Sequence, residues 1–209
     1  MYIPFSTCYE LLKKLNITVN GIFHVGAHDC EELESYEAMG VDKSNIYWVD
    51  AIEEKVDIAK MRGISNVFCA ALDNKEEVVT FKITNNGQSS SLLNLGTHKI
   101  NYPGIVVVEN RSLTTQTGIN FVRENNIPIA ICNFWNLDIQ GKELDVLKSM
   151  EHLIQYADGI YCEVNTQEVY EGCGLLNELD AYLDGHNFTR IAIYMTDAGW
   201  GDAFYVRKI

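Results

Sequence analysis

The feature that most constrains this chain is its alternation of short apolar runs with amphipathic stretches of about ten residues. Residues 21–25 (GIFHV), 45–49 (NIYWV) and 66–71 (NVFCAA) read as strands. Residues 30–39 and 53–61 between them carry helical spacing, ended by Gly40 and Gly63. The pattern resumes with a strand over 132–139 (CNFWNLDI) and a helix over 142–154, with Leu144, Leu147, Met150 and Leu153 on one face. A strand over 159–164 (GIYCEV) and a helix over 175–183 follow. Strands alternating with helices of this length predict an α/β fold whose parallel sheet is covered on both faces.

Three departures refine that reading. Ser6-Thr7 with Glu10 predicts a capping box opening a helix through Leu15. The middle of the chain reads as an elaboration inside the sheet. It comprises an alternating strand over 78–84, a polar loop over 85–91 (NNGQSSS), a strand over 105–109 (IVVVE) and a helix over 115–125. The chain then closes with strands over 188–195 and 203–206 around a Gly199-Trp200-Gly201 turn, with no helix between them. Such an antiparallel pair at the sheet edge ends a Rossmann-like methyltransferase sheet, whereas a simple dinucleotide domain has a further strand–helix unit there.

A chain of 209 residues suits one domain over 20–209, preceded by a helical extension over 1–19. Sixteen basic against twenty-nine acidic residues give a net charge of −13, which disfavours nucleic acid and anionic membrane surfaces as partners. A neutral or cationic acceptor fits that charge better. Six cysteines without a C-x-x-C pair read as reduced thiols of a cytoplasmic protein. The first fifteen residues lack the basic start and apolar run of a secretory leader, and no 18-residue apolar stretch is present, so membrane insertion is not expected.

The first strand delivers Val25-Gly26-Ala27-His28-Asp29 to a helix start, where glycine lets backbone approach a ligand. A dinucleotide fingerprint needs further glycines at His28 and Glu31, so a nicotinamide oxidoreductase is disfavoured. Asp50 ends the second strand, where a carboxylate can accept both hydroxyls of a ribose. Glu53 and Glu54 are available to cap the helix that follows, which leaves Asp50 for a ligand. Asp138 and Glu163 lie at neighbouring strand ends, with Asn165 just beyond. They suit a general base and a hydroxyl orienter, or a divalent metal site, so metal dependence stays open. His28 in the glycine turn is a third catalytic candidate, while His24 among apolar neighbours reads as a core residue. Tyr36, Tyr47, Tyr102, Tyr161, Tyr170 and Trp200 include candidates for stacking on a sugar.

VGAHDCEE, WVDA, CAAL before Asp73, LDIQGKELDVLKSM, NGQSSSLL, GTHKINYP, EVNTQEVYEGC and GWGDAFYV together resemble the FkbM-type methyltransferases over roughly residues 20–208. The resemblance implies a Rossmann-like fold, S-adenosylmethionine as cofactor with S-adenosylhomocysteine as product, and methyl transfer to a hydroxyl, often on a sugar or glycan. It places Gly26, Ala27 and His28 at the methionine end of the cofactor, next to Val25. Asp50 falls at the ribose, beside Ala51, while Ala71, Leu72 and Asp73 border the adenine. Gln88, Ser89 and Ser90 close over the site, and Asp138 faces the methyl group. The chain has Cys30 where the family's turn carries a second glycine, and Lys142 where alanine is common. The alternative that Cys30 motivates is a module of the same fold that binds the nucleoside without transferring anything.

Overall fold

The computed structural model describes residues 2–208. The first half of the chain holds α1 (Phe5–Lys14), β1 (Ile22–Val25), α2 (Leu33–Ala38), β2 (Ile46–Asp50), α3 (Glu53–Met61) and β3 (Val67–Cys69). Next come β4 (Ala71–Asp73), β5 (Val78–Thr84), α4 (His98–Asn101), β6 (Val107–Thr117) and α5 (Gly118–Glu124). The last part holds β7 (Phe134–Leu137), α6 (Glu143–Ser149), β8 (Gly159–Asn165), α7 (Leu176–Gly185), β9 (Phe188–Met195) and β10 (Trp200–Arg207).

Seven strands form one sheet in the order β3-β2-β1-β7-β8-β10-β9. Strands β3, β2, β1, β7 and β8 are parallel, and β10 runs antiparallel to β8 and β9. The chain leaves β1 toward β2 and β3 and returns to place β7 on the other side of β1. That reversal opens a crevice at the strands' carboxyl ends, where Gly26, Asp50 and Asp138 emerge. Along β1, Phe23 and Val25 enter one core with Val49, Trp135 and Leu137, while Ile22 enters a second with Ile46, Trp48 and Phe134. A sheet buried on both faces explains why these strands are runs of apolar residues rather than alternations. All six cysteines are free thiols, and only Cys69 is exposed. Among the described residues, no helix is long and apolar enough to cross a membrane.

Several expectations shift. Helix α1 starts at Phe5 behind Pro4 with no side-chain cap, so the Ser6-Thr7/Glu10 box does not form. The stretch expected as a helix over 30–39 begins as a turn, with Cys30 at φ +53°, and becomes helical at Leu33. The single strand expected over 66–71 breaks at Ala70, whose N–H donates to the Asp50 carbonyl, and the chain then enters another sheet. That second sheet, β4-β6-β5, lies apart from the first, so the central elaboration is not inside the main sheet. Residues 110–117, expected as loop and helix start, extend β6 to eleven residues. The helix expected over 142–154 stops at Ser149, because Glu151 turns to φ +50° and a 3-10 turn takes over. Strand β10 begins at Trp200, so only Gly199 of the expected Gly-Trp-Gly turn is in the bend.

Candidate functional site

The crevice above β1 and β7 is a concave cleft at the carboxyl ends of the strands, the usual place for a ligand in such a sheet. Val25, Gly26, His28, Asp50, Ala51, Ala71, Leu72, Gln88, Ser90 and Asp138 line it. Three other expected residues do not. Ala27 is buried in the core, Ser89 lines a neighbouring cavity, and Asp73 holds Lys142 Nζ at 2.7 Å. Lys142, which stands where alanine is common in the family, lines the cleft itself. Phe81, Leu92 and Ile139 were also missed: Phe81 sits in a strand with no motif, and Leu92 and Ile139 are apolar members of the NGQSSSLL and LDIQG strings whose polar residues drew the attention.

Gly26, which lines the cleft, is also required on steric grounds within the sheet. Its φ is +91°, and a Cβ there would lie 1.8 Å from the Asp138 carbonyl oxygen. The close approach it permits is therefore of strand β7 to β1, which fixes Asp138 beside the turn. Asp50 braces two turns: Oδ1 accepts the Ile52 N–H at 2.8 Å and Oδ2 the His28 N–H at 2.7 Å, while α3 itself has no side-chain cap. Glu54 instead pairs with Arg111 at 2.7 Å. Each Asp50 oxygen keeps a second lone pair for a hydroxyl.

Asp138 and Glu163 meet across β7 and β8, hydrogen-bonded to each other. The Gln140 amide nitrogen bridges them, 2.6 Å from Asp138 Oδ1 and 2.5 Å from Glu163 Oε2. Its Oε1 accepts from the Tyr170 hydroxyl. A donor amide thus sits where a metal shared by the two carboxyls would need to be. Desolvation raises both acids, Glu163 well above the carboxylate range, while the hydrogen bond from Glu163 offsets part of the rise at Asp138. The proton rests on Glu163, and Asp138 is the acceptor. Among the described residues, His28, Asp29 and Glu31 come together closely enough for a cation, but Lys55 Nζ already holds Asp29 at 2.7 Å.

A second cavity of about 1170 Å³ adjoins the cleft. Gly26, His28, Gln88, Asp138 and Gln140 line both. Glu32, Glu163, His98, Tyr102, Tyr170 and Trp200 belong to the second alone. Of the aromatics singled out from the sequence, Tyr36 and Tyr161 are buried in the core, and Tyr47 packs against it. The loop between β5 and β6 roofs both spaces. Ser91 Oγ donates to the Gln140 carbonyl at 2.8 Å, and the Gly96 and His98 N–H groups donate to the Val169 carbonyl. Cys30 lines neither space and packs in the core, so the missing glycine does not touch the cleft.

His24 is a core residue held between Tyr36 and Asn136, and burial lowers it to about 3, so it stays neutral. His28 is raised, first by its hydrogen bond to Glu31 at 2.9 Å. Burial pushes Glu32 and Glu143 up to about 7 from an ordinary 4.5. Groups that bind protons more tightly when folded lose their stabilising effect as pH rises through the folded value. The lowered His24 and His98 act in the opposite sense as pH rises through about 6.5, where the unfolded ring gives up its proton, and offset part of this loss. Between about pH 6.5 and 8 the protein should lose stability, by of order 1 kcal/mol for each of Glu32 and Glu143. Calorimetric melting over that interval checks this, and a flat or rising midpoint would contradict the burial assigned to these carboxyls.

The Methyltransferase FkbM domain profile matches residues 18–190. Among curated proteins, no relative matches the chain. Of solved structures, magnesium protoporphyrin IX methyltransferase from Synechocystis PCC 6803 with bound SAM is similar at a TM-score of 0.47 and 10% identity, covering 98% of this chain and 78% of that one. A SAM dependent methyltransferase from Aquifex aeolicus is similar at a TM-score of 0.41 and 12% identity, covering 94% of this chain and 88% of that one.

Proposed function

The chain belongs to the FkbM methyltransferase family and is a methyltransferase that uses S-adenosylmethionine; within that activity we propose that the acceptor is a hydroxyl of a sugar or glycan. The observation that carries this reading is the junction of the two cavities at Gly26, His28, Gln88, Asp138 and Gln140, with Asp138 facing both. The second cavity combines aromatic faces (Tyr102, Tyr170, Trp200) with hydrogen-bonding side chains (Asn86, Ser89, Gln140). Stacking against a ring while satisfying its hydroxyls is what a sugar requires of a site.

The cleft residues fit the cofactor. Asp50 offers its free lone pairs, Leu72, Phe81 and Leu92 supply apolar walls, and the buried His28 Nε2 has no partner of its own. When bound, S-adenosylmethionine supplies an electrophilic methyl group. The chain's own residues hold the acceptor oxygen in line and remove its proton. In this reading Asp138 takes that proton, Glu163 and Gln140 hold Asp138 in place by hydrogen bonds, and His28 lines the meeting point. The unfulfilled alternative, a binding module without transfer, rested on Cys30, which lies away from the cleft.

Asp50→Asn is expected to weaken S-adenosylhomocysteine binding about tenfold or more, since one charged acceptor is lost. Unchanged calorimetric affinity would remove Asp50 from the ligand. The acceptor class is tested by incubating the protein with methyl-deuterated S-adenosylmethionine and a panel of methyl glycosides and oligosaccharides. Mass spectrometry should find a labelled methyl ether on a sugar hydroxyl. Labelling confined to nitrogen or carbon acceptors offered in parallel would overturn the sugar reading.

A further inference from the structure

We propose that the acceptor carries a protonated amine close to its reacting hydroxyl, as an amino sugar does, and that Glu32 is the residue that selects it. This inference rests on the reading of the second cavity as the acceptor site. Its starting point is an imbalance of charge within that cavity. Glu31, Glu32, Asp138 and Glu163 line it, and no lysine or arginine does. Glu31 is hydrogen-bonded to His28, and Asp138 and Glu163 to each other and to Gln140. Glu32 has no such partner.

Glu32 stands at the start of α2 with its side chain 17% exposed, and its Oε2 is buried without a hydrogen bond. The nearest ring nitrogen, His24 Nδ1, is 3.9 Å away and already engaged with the Tyr36 hydroxyl. On its other side, the groove against α1 offers Ser6, Ser35 and Glu10 but no cation. Burying this carboxyl is costly, and among the described residues its own backbone N–H, but no side-chain cation, offsets that cost. Glu32 also lines the cavity, where a cationic ligand group would meet its carboxyl.

Two further observations point the same way. His98 is 5% exposed and lines this cavity, yet its Nδ1 has no hydrogen-bond partner. Burial lowers His98, so its ring is neutral and can serve a hydroxyl or an amine without opposing the charge. Tyr102 and Trp200 are joined by a 2.9 Å bond from the indole N–H to the phenol oxygen, which holds two aromatic faces at the same wall. Such faces attract a cation as well as a sugar ring. A carboxylate or phosphate on the acceptor would meet Asp138 and Glu32 with no lysine or arginine to receive it, and is disfavoured.

The test uses the full chain saturated with S-adenosylhomocysteine. Binding of the methyl glycosides of glucosamine, N-acetylglucosamine and glucuronic acid is followed by saturation-transfer NMR titration. The glucosamine glycoside is expected to bind about tenfold or more tightly than the N-acetyl form, and the glucuronide not at all. Glu32→Gln should reduce that preference to near unity with unchanged S-adenosylhomocysteine affinity, while Glu32→Asp, which keeps the charge, should retain part of it. A chitosan trimer in a parallel arm distinguishes a glycan end, bound more tightly than the monosaccharide, from a free sugar, bound equally. Equal affinity for amine and N-acetyl forms, no binding of the amine, or a preference that survives Glu32→Gln would each overturn the proposal. Failure to bind S-adenosylhomocysteine would instead count against the cofactor reading beneath it.

Discussion

Asp138→Asn should lower turnover about 10²- to 10⁴-fold, the range for removing a positioned base, while S-adenosylhomocysteine affinity stays within about threefold. The two effects separate because Asp138 lies at the edge of the cofactor cleft but at the centre of its junction with the acceptor cavity. Glu163→Gln should fall by less. Glu163 keeps its proton in this site and donates to Asp138, and a glutamine amide can also donate. Single-turnover rates of the two variants decide the matter. Equal losses, or full activity in Asp138→Asn, would take the base away from Asp138.

The second large effect is on stability. Gly26→Ala requires a left-handed backbone at an alanine and places its Cβ 1.8 Å from the Asp138 carbonyl oxygen, a backbone atom that cannot rotate away. Strain and overpacking of this kind together cost about 3–5 kcal/mol. For a chain of this length that corresponds to a fall in melting temperature of order 10 °C. Any protein that remains folded should also lose turnover, because β1 and β7 must part to relieve the clash and Asp138 moves with β7. A melting temperature within about 2 °C of the parent would show that the two strands have slack here.

Much of this architecture is legible in the sequence where a segment is buried on both faces. Strands β1 and β2 and helix α3 lie within a residue of their expected bounds, because GIFHV-type runs and glycine stops are local signals. Strand β6 is the counterexample. Its residues 107–114 are mostly exposed and polar, and pairing with β5 and β4, not local preference, makes them a strand. The break at Ala70 is equally silent, since NVFCAA continues without a turn residue and the Asp50 carbonyl does the bending.

The candidate site divides along the same line. Gly26, Asp50 and Asp138 sit at strand ends and could be found by counting from the apolar runs. The reasons for them could not. Gly26 answers to a carbonyl at the end of β7, and Asp50 braces the turns at His28 and Ile52. Glu32, His98 and Trp200 share a cavity although sixty-six and one hundred and two residues separate them in turn, and no periodicity links them. Packing of the β5–β6 loop against the segment after β8 carries His98 to the cavity, while Glu32 arrives from the start of α2 and Trp200 from β10.

That loop has a bearing on how such a chain diversifies. His98, Tyr102 and Ile105 reach the acceptor space from one excursion, entered and left through the small β4-β6-β5 sheet. Asp138 and Glu163 stand on the main sheet and owe it their positions. Replacement or lengthening of the excursion therefore exchanges one wall of the second cavity, the proposed acceptor space, and leaves Asp138 where the parallel strands hold it. New substrates become reachable through a cassette of some twenty residues, a length loops tolerate at small entropic cost.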